Sequence, residues 1–158
     1  MAHGWRWRIA QGVEIRWWRN YLRKKDPEAY AAWKRDYWKE YFAQLGPALA
    51  LRPGDRILDA GCGPAGIFMM LGAHSPDAVD PLLEAYESLP HFSRARHPHV
   101  RFFNQTLEAF VEDAPYDVVF CMNAVNHMEN LAVAYDRLAA LTRPGGTLVL
   151  TVDAHNHA

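Results

Sequence analysis

Apolar residues of this chain come in short clustered runs after residue 50 and at three- and four-residue spacing before it. Ile57-Leu58 lies between Arg56 and Asp59 and leads to Gly61 and Gly63, which predicts a buried strand, a tight turn and a following helix opened by Pro64. Ala78-Val79-Asp80-Pro81-Leu82-Leu83 predicts a second strand ending in an acid, then a helix over about 81–89. Val100 to Gln105 predicts a third strand, and Tyr116 to Asn123, apolar nearly throughout, a fourth that is buried on both faces. Helical periodicity over 131–142 breaks at Arg143-Pro144-Gly145-Gly146, and residues 147–153 predict a fifth strand. Strands alternating with helices imply an α/β fold with a doubly wound parallel sheet, whose ligands lie at the carboxyl ends of the strands.

The first 46 residues read differently. Asp26 is the expected N-cap of a helix with Pro27 in its first position. Tyr30, Trp33, Tyr37, Trp38, Tyr41 and Phe42 then recur as one aromatic face, with Lys34, Arg35, Lys39 and Glu40 on the wetter side, until Gly46 and Pro47 stop the helix. An earlier helix, over about 10–24, carries Val13, Trp17, Trp18 and Tyr21. The division is therefore an aromatic-rich helical extension or lid, 1–46, ahead of a sheet domain, 47–158.

Length and composition narrow the class. With 158 residues, half of them apolar, there is room for one domain with a sizeable core. No run reaches the roughly 18 apolar residues of a membrane span, and the N-terminus lacks a signal-peptide core. Cys62 and Cys121 both fall in core elements, which points to a reducing, cytoplasmic setting. His91, His97, His99, His155 and His157 show no metal-ligand spacing, so no metal is expected. Net charge near zero hides an asymmetry of +5 over residues 1–46 against −6 over the rest, and all six tryptophans lie in the basic part. Those rings have four readings: packing on the sheet domain, roofing a site through Trp17, Trp18 and Tyr21, lying as a helix in a membrane interface, or binding nucleic acid. Core-like spacing, rather than rings interleaved with arginines, disfavours the last.

The chemistry concentrates at the first turn. Gly61-x-Gly63-x-x-Gly66 matches a dinucleotide fingerprint, with Asp80 at about the 20-residue spacing of a ribose-binding acid. Asp59 argues against a pyrophosphate, because a fixed anion beside that site repels it. The same anion suits a ligand with cationic amino and sulfonium groups and no phosphate.

Asp59-x-Gly61-x-Gly63 followed by Asp80 resembles the opening of the class I S-adenosylmethionine-dependent methyltransferases of the small-molecule type, a likeness covering about residues 50–153. The third glycine position is shared here between Ala65 and Gly66. The resemblance implies a Rossmann-like sheet of order 3-2-1-4-5 and S-adenosylmethionine as cofactor, with S-adenosylhomocysteine as product. Asp59, Gly61, Cys62 and Gly63 would then hold the methionine end, Asp80 and Pro81 the ribose, and Thr106, Leu107 and Glu108 the adenine. Asn123, Ala124 and His127 would face the methionine part and the acceptor, with His127 the candidate base, since imidazoles exchange protons near neutrality. Plain alternatives stand beside these: Glu108 as a solvated helix-start acid, Asn123 as turn chemistry, His127 as a solvated or capping residue.

The family's sheet continues with a further helix and two more strands, whereas this sequence stops at Ala158. The expectation is a C-terminally incomplete domain lacking those two strands. Either it is a fragment, or a homodimer or partner chain covers the exposed edge of the fifth strand. A nicotinamide-dependent oxidoreductase, a non-catalytic cofactor-binding or assembly module and a nucleic-acid methyltransferase remain alternatives.

Overall fold

The computed structural model describes residues 4–152. Helices α1 (Trp5–Leu22) and α2 (Pro27–Leu45) come first, followed by β1 (Ile57–Ala60), β2 (Asp77–Val79), α3 (Leu83–Tyr86), β3 (Arg101–Phe103), β4 (Tyr116–Met122), α4 (Leu131–Leu141) and β5 (Thr142–Thr151). The five strands form one parallel sheet of order β3-β2-β1-β4-β5, the predicted Rossmann-like arrangement.

Alternation along the central strands separates two packed faces. Leu58, Ala60, Val119 and Cys121 pack with Ala134, Leu138 and Leu141 of α4, while Ile57, Val118 and Phe120 pack with Trp38 and Phe42 of α2. A third cluster joins Leu22 and Tyr30 of the N-terminal helices to Phe68, Ala78, Leu83 and Tyr86. The helical extension thus shares the sheet's core instead of standing apart from it. At the strands' amino ends, Asp77 accepts from the Arg101 guanidinium and the Tyr116 hydroxyl, tying β2, β3 and β4 together.

Several elements differ from their predicted extents. α1 starts at Trp5 rather than near Ala10 and ends at Leu22. The glycine turn runs on through Pro64 to Gly66, and a single 3-10 turn, Ile67–Met70, replaces the expected helix, so Pro64 opens no helix. Its backbone donor Phe68 N–H is taken by Asp59, which holds the segment to β1 instead of releasing it into a helix. The helix over 81–89 shrinks to α3, with the Ser88 hydroxyl turned back on the Ala85 carbonyl just before Pro90. β2 and β3 are three residues each.

Arg143-Pro144-Gly145-Gly146 does not separate α4 from β5; it is absorbed into the strand as an irregular bulge opposite Tyr116–Val118, with Gly145 at φ +74°. The expected end of β5 at Asp153, with His155 and His157, lies outside the described residues. The aromatic face of α2 is split. Tyr30 and Trp38 are buried, whereas Trp33 and Tyr37 stand in solvent, because the aromatics wind around more of the helix than the sheet covers. Lys34, expected on the wet side, is half-buried with its ammonium 4.6 Å from the ring centres of both Tyr37 and Trp38.

Candidate functional site

The turn after β1 is closed by backbone and by two carboxylates. Gly61 and Cys62 both donate to the Val79 carbonyl, which draws the turn to the end of β2. Gly61 has φ +70°, and a Cβ there would lie 2.4 Å from that of Ala124, so only glycine allows the post-β4 segment to close against the turn. Gly66 has ordinary φ, yet its Cβ would lie 2.4 Å from both Asp59 Oδ2 and the Cys62 carbonyl. Asp80 accepts from Gly63 N at 2.9 Å and from Leu82 N at 2.8 Å, clamping the turn to the start of the next segment. Asp59 accepts from Phe68 N at 3.0 Å, and the indole of Trp38 donates to the Ala65 carbonyl at 3.0 Å.

Negative charge is concentrated here, with Lys34 of α2 as a cation coupled to Asp59. Burial pushes the Asp59 carboxyl up to about 7, opposed by the Phe68 N–H and reinforced by Asp80. Burial likewise pushes Asp80 up to about 6, opposed by the Leu82 and Gly63 N–H groups and reinforced by Glu14. Glu14 of α1 is also raised, chiefly by burial, while a hydrogen bond from the Trp18 side chain works the other way. Burial lowers Lys34, with attraction to Asp59 as the opposing influence. Three desolvated carboxyl groups therefore converge around a left-handed glycine turn, which favours a cationic ligand and disfavours phosphate.

α1 roofs the turn. Trp18 lies 3.8 Å from the Cβ position of Gly63 and meets Tyr86 edge-on, with ring centres 6.3 Å apart. Of the other two predicted lid residues, Trp17 stacks on Tyr21 at 4.8 Å on the solvent side. Next to the roof, a cavity of about 520 Å³ separates α1 from the segment after β4, with Gln11 and Glu14 on one wall and Asn126 and His127 on the other. His127 Nδ1 is 3.9 Å from Glu14 Oε2 and the imidazole is 54% exposed, within reach of a bound molecule.

The remaining predicted positions divide. Thr106 is buried and its Oγ1 has no hydrogen-bond partner among the described residues; the same holds for Oδ1 of Asn123, held at φ +53° by its N–H bond to Thr151. Leu107 sits in the core cluster under α4. Glu108 accepts from the N–H groups of Glu129 and Asn130, fixing the approach to α4. Pro81 is half-buried beside Asp80, and Cys62 is buried with its thiol pushed well up by burial, a reluctant nucleophile. Among the described residues no group of three or more His, Cys, Asp or Glu side chains is placed to hold a metal. No described helix is long and apolar enough to cross a membrane.

Sequence reasoning passed over Glu14 and Lys34. A signal for Glu14 existed: it interrupts the row Gln11, Ile15, Trp18 and Leu22 that α1 turns inward, and a carboxylate on a packed helix face has to serve some partner.

The chain matches the family described as Methyltransferase domain over residues 30–158. It belongs to that family. The ubiquinone biosynthesis O-methyltransferase of Rickettsia felis is 29% identical over 97 residues, covering 60% of this chain and 40% of its own length. That of Paracidovorax citrulli is 33% identical over 104 residues, covering 62% of this chain and 43% of its own. The chain thus spans less than half the length of the curated relatives it matches. The solved StiE O-MT domain superposes with a TM-score of 0.60 at 18% identity, over 84% of this chain and 50% of that one, which shows the shared fold. The methyltransferase resemblance read from Asp59-x-Gly61-x-Gly63 is borne out at the level of family and sheet order.

Proposed function

We propose that this methyltransferase domain binds S-adenosylmethionine and transfers its methyl group to a small-molecule acceptor. The observation that carries the reading is the convergence of Asp59, Asp80 and Glu14 on the left-handed turn at Gly61–Gly63, all three carboxyls desolvated. The cofactor's own chemistry is an activated methyl on a sulfonium.

The chain's part is placement and charge. Asp80 has acceptor capacity left after its two N–H bonds and would take the ribose hydroxyls. Gly61, Cys62 and Gly63 would admit the methionine end, with Asp59 supplying negative potential from behind the turn rather than an exposed ligand oxygen. The buried, unsatisfied Thr106 Oγ1 and Asn123 Oδ1 are the polar atoms that fit a bound molecule at the neighbouring strand ends. Leu107 would contribute apolar backing for adenine, Pro81 the wall beside Asp80, and Ala124 the close floor under Gly61. Glu108 would serve the site indirectly, through the 129–130 backbone.

His127 is the proposed base for an acceptor that must lose a proton, held by Glu14 across the cavity. The relatives' names support an oxygen nucleophile. Trp18 is the proposed lid contact that excludes water, with Trp17 and Tyr21 bracing it from outside. On this reading residues 1–46 form a lid extension on domain 47–158. A cytoplasmic location accords with two free, buried cysteines. A homodimer through β5 accords with its place as the outer strand among the described residues, with Leu148 exposed.

Calorimetric titration of S-adenosylmethionine, S-adenosylhomocysteine and NAD into the chain tests the cofactor, followed by transfer of labelled methyl to phenolic acceptors. Binding of the first two and not NAD is expected. NAD binding alone would restore the oxidoreductase alternative, and binding without transfer to any acceptor would favour the non-catalytic module.

A further inference from the structure

Large apolar side chains recur at every fourth position of α1, and all of them stand in solvent: Trp5, Ile9, Val13, Trp17 and Tyr21 are 64, 57, 60, 53 and 36% exposed. The row that α1 packs inward, Gln11, Ile15, Trp18 and Leu22, lies on the other side. At its end Tyr21 meets the buried ring of Tyr30 at 6.3 Å, and on the far side of Tyr30 the exposed Trp33 and Tyr37 lie 5.9 Å apart on α2. Five exposed large apolar side chains in one i, i+4 row of α1 mark an interaction surface rather than scattered exposure.

Beside the row on α1 the exposed charges are all basic, whereas α2 adds the exposed acids Asp26, Glu28, Asp36 and Glu40. Arg6, Arg8, Arg16 and Arg19 lie on α1, and Arg23, Lys24 and Lys25 follow directly. The helix's one acid, Glu14, is turned inward to Trp18 and His127. Arg6 lies over the Trp5 ring at 5.5 Å and Lys25 over Tyr21 at 4.6 Å, so cations and rings occupy one surface.

We propose that this face of α1 docks the protein on an anionic lipid surface, lying in the headgroup boundary without crossing the bilayer. Tryptophan and tyrosine with flanking arginines suit that boundary, where rings enter the acyl margin and guanidinium groups meet anionic headgroups. A second copy fits worse, because apposed α1 helices would bring like charges together. Nucleic acid fits worse because Ile9 and Val13, in the middle of the row, offer no π face for a base. α1 lies outside the matched residues 30–158. Trp5 also borders the cavity beside His127, which places the mouth of that cavity next to the docked face.

Co-sedimentation of the full chain with vesicles of phosphatidylcholine, alone or mixed with phosphatidylglycerol, tests this, with tryptophan emission read in parallel. Retention on the anionic vesicles, weakened by salt and accompanied by a blue shift, is expected. An Ile9→Ser, Val13→Ser double variant alters exposed positions only, and should keep its unfolding curve while partitioning about tenfold less. Arg16→Glu should cost about fivefold or more. Failure to bind anionic vesicles overturns the proposal, as does retention indifferent to the double substitution. A dimer dissolved by those substitutions would assign the row to a second copy, and RNA retention without vesicle binding would assign it to nucleic acid.

Discussion

The indole nitrogen of Trp38, on a helix before the sheet begins, donates to the carbonyl of Ala65 in the turn after β1 at 3.0 Å. Through that bond α2 holds the far side of the glycine turn, while Asp80 holds the near side through Gly63. The turn is therefore positioned from two directions, by elements on opposite sides of it in sequence.

Trp38→Phe keeps most of the ring and removes the donor, leaving the buried Ala65 carbonyl without its partner. A loss of about 1–3 kcal/mol is expected in chemical denaturation. Cofactor affinity should fall with it, since the turn loses its anchor to α2. An unchanged unfolding midpoint would show that the bond contributes nothing net.

Gly61→Ala meets both a positive φ and the Cβ of Ala124 at 2.4 Å, so it is expected to destabilise by about 1–3 kcal/mol or to shift the post-β4 segment. Gly72→Ala, with no heavy atom within 4 Å of its Cβ, is the control and should be near neutral. Equal effects at the two sites would contradict the close approach of turn and segment.

Asp80→Asn is expected to weaken S-adenosylmethionine binding about ten- to a hundredfold, the effect of losing hydrogen bonds to a charged group at roughly 1.5–3 kcal/mol. Isothermal titration against the unsubstituted chain is the check. Affinity left intact would move the ribose elsewhere.

The same acids give a pH dependence of definite sign. Burial raises Asp59 and Asp80 from 3.8 to about 7 and about 6, so the fold favours their protonated forms. That contribution is fully present below the unfolded value of 3.8 and is lost as pH climbs through about 6 and then about 7. The ligand-free thermal midpoint should therefore fall across this window. S-adenosylmethionine, whose cationic groups favour the ionised carboxylates, should raise it most above the window. Thermal unfolding with and without ligand at several pH values reads both effects, and a ligand-induced shift that shrinks with rising pH would count against the acid cluster as the cofactor's counter-charge.

His127→Ala should lower kcat about a hundredfold or more for an acceptor that must be deprotonated, with little change in cofactor affinity. Glu14→Gln should move the pH profile of kcat while leaving the fold intact. Parallel losses in kcat and in S-adenosylmethionine binding would assign both residues to the lid's packing.

Much of the fold was legible because it is local. Apolar runs marked the five strands, Asp26 and Pro27 the start of α2, and Asp59, Gly61, Gly63 and Asp80 the turn, since strand burial, capping and left-handed backbone depend on residues close in sequence. The short 3-10 turn at Ile67–Met70 was not legible. Its cause is the Phe68 N–H meeting a carboxylate nine residues back, a competitor that helical propensity does not register.

By itself, then, the sequence determined the sheet, its strand order through the family resemblance, and the acid-flanked turn. Only the tertiary structure decided which side of each N-terminal helix is covered. It brought Glu14 from α1 to Asp80 and His127, Lys34 from α2 to Asp59, and left Trp5, Ile9, Val13, Trp17 and Tyr21 outside. The reason is that helical periodicity defines rows of side chains, while the shape of the surface beneath selects the row that is buried.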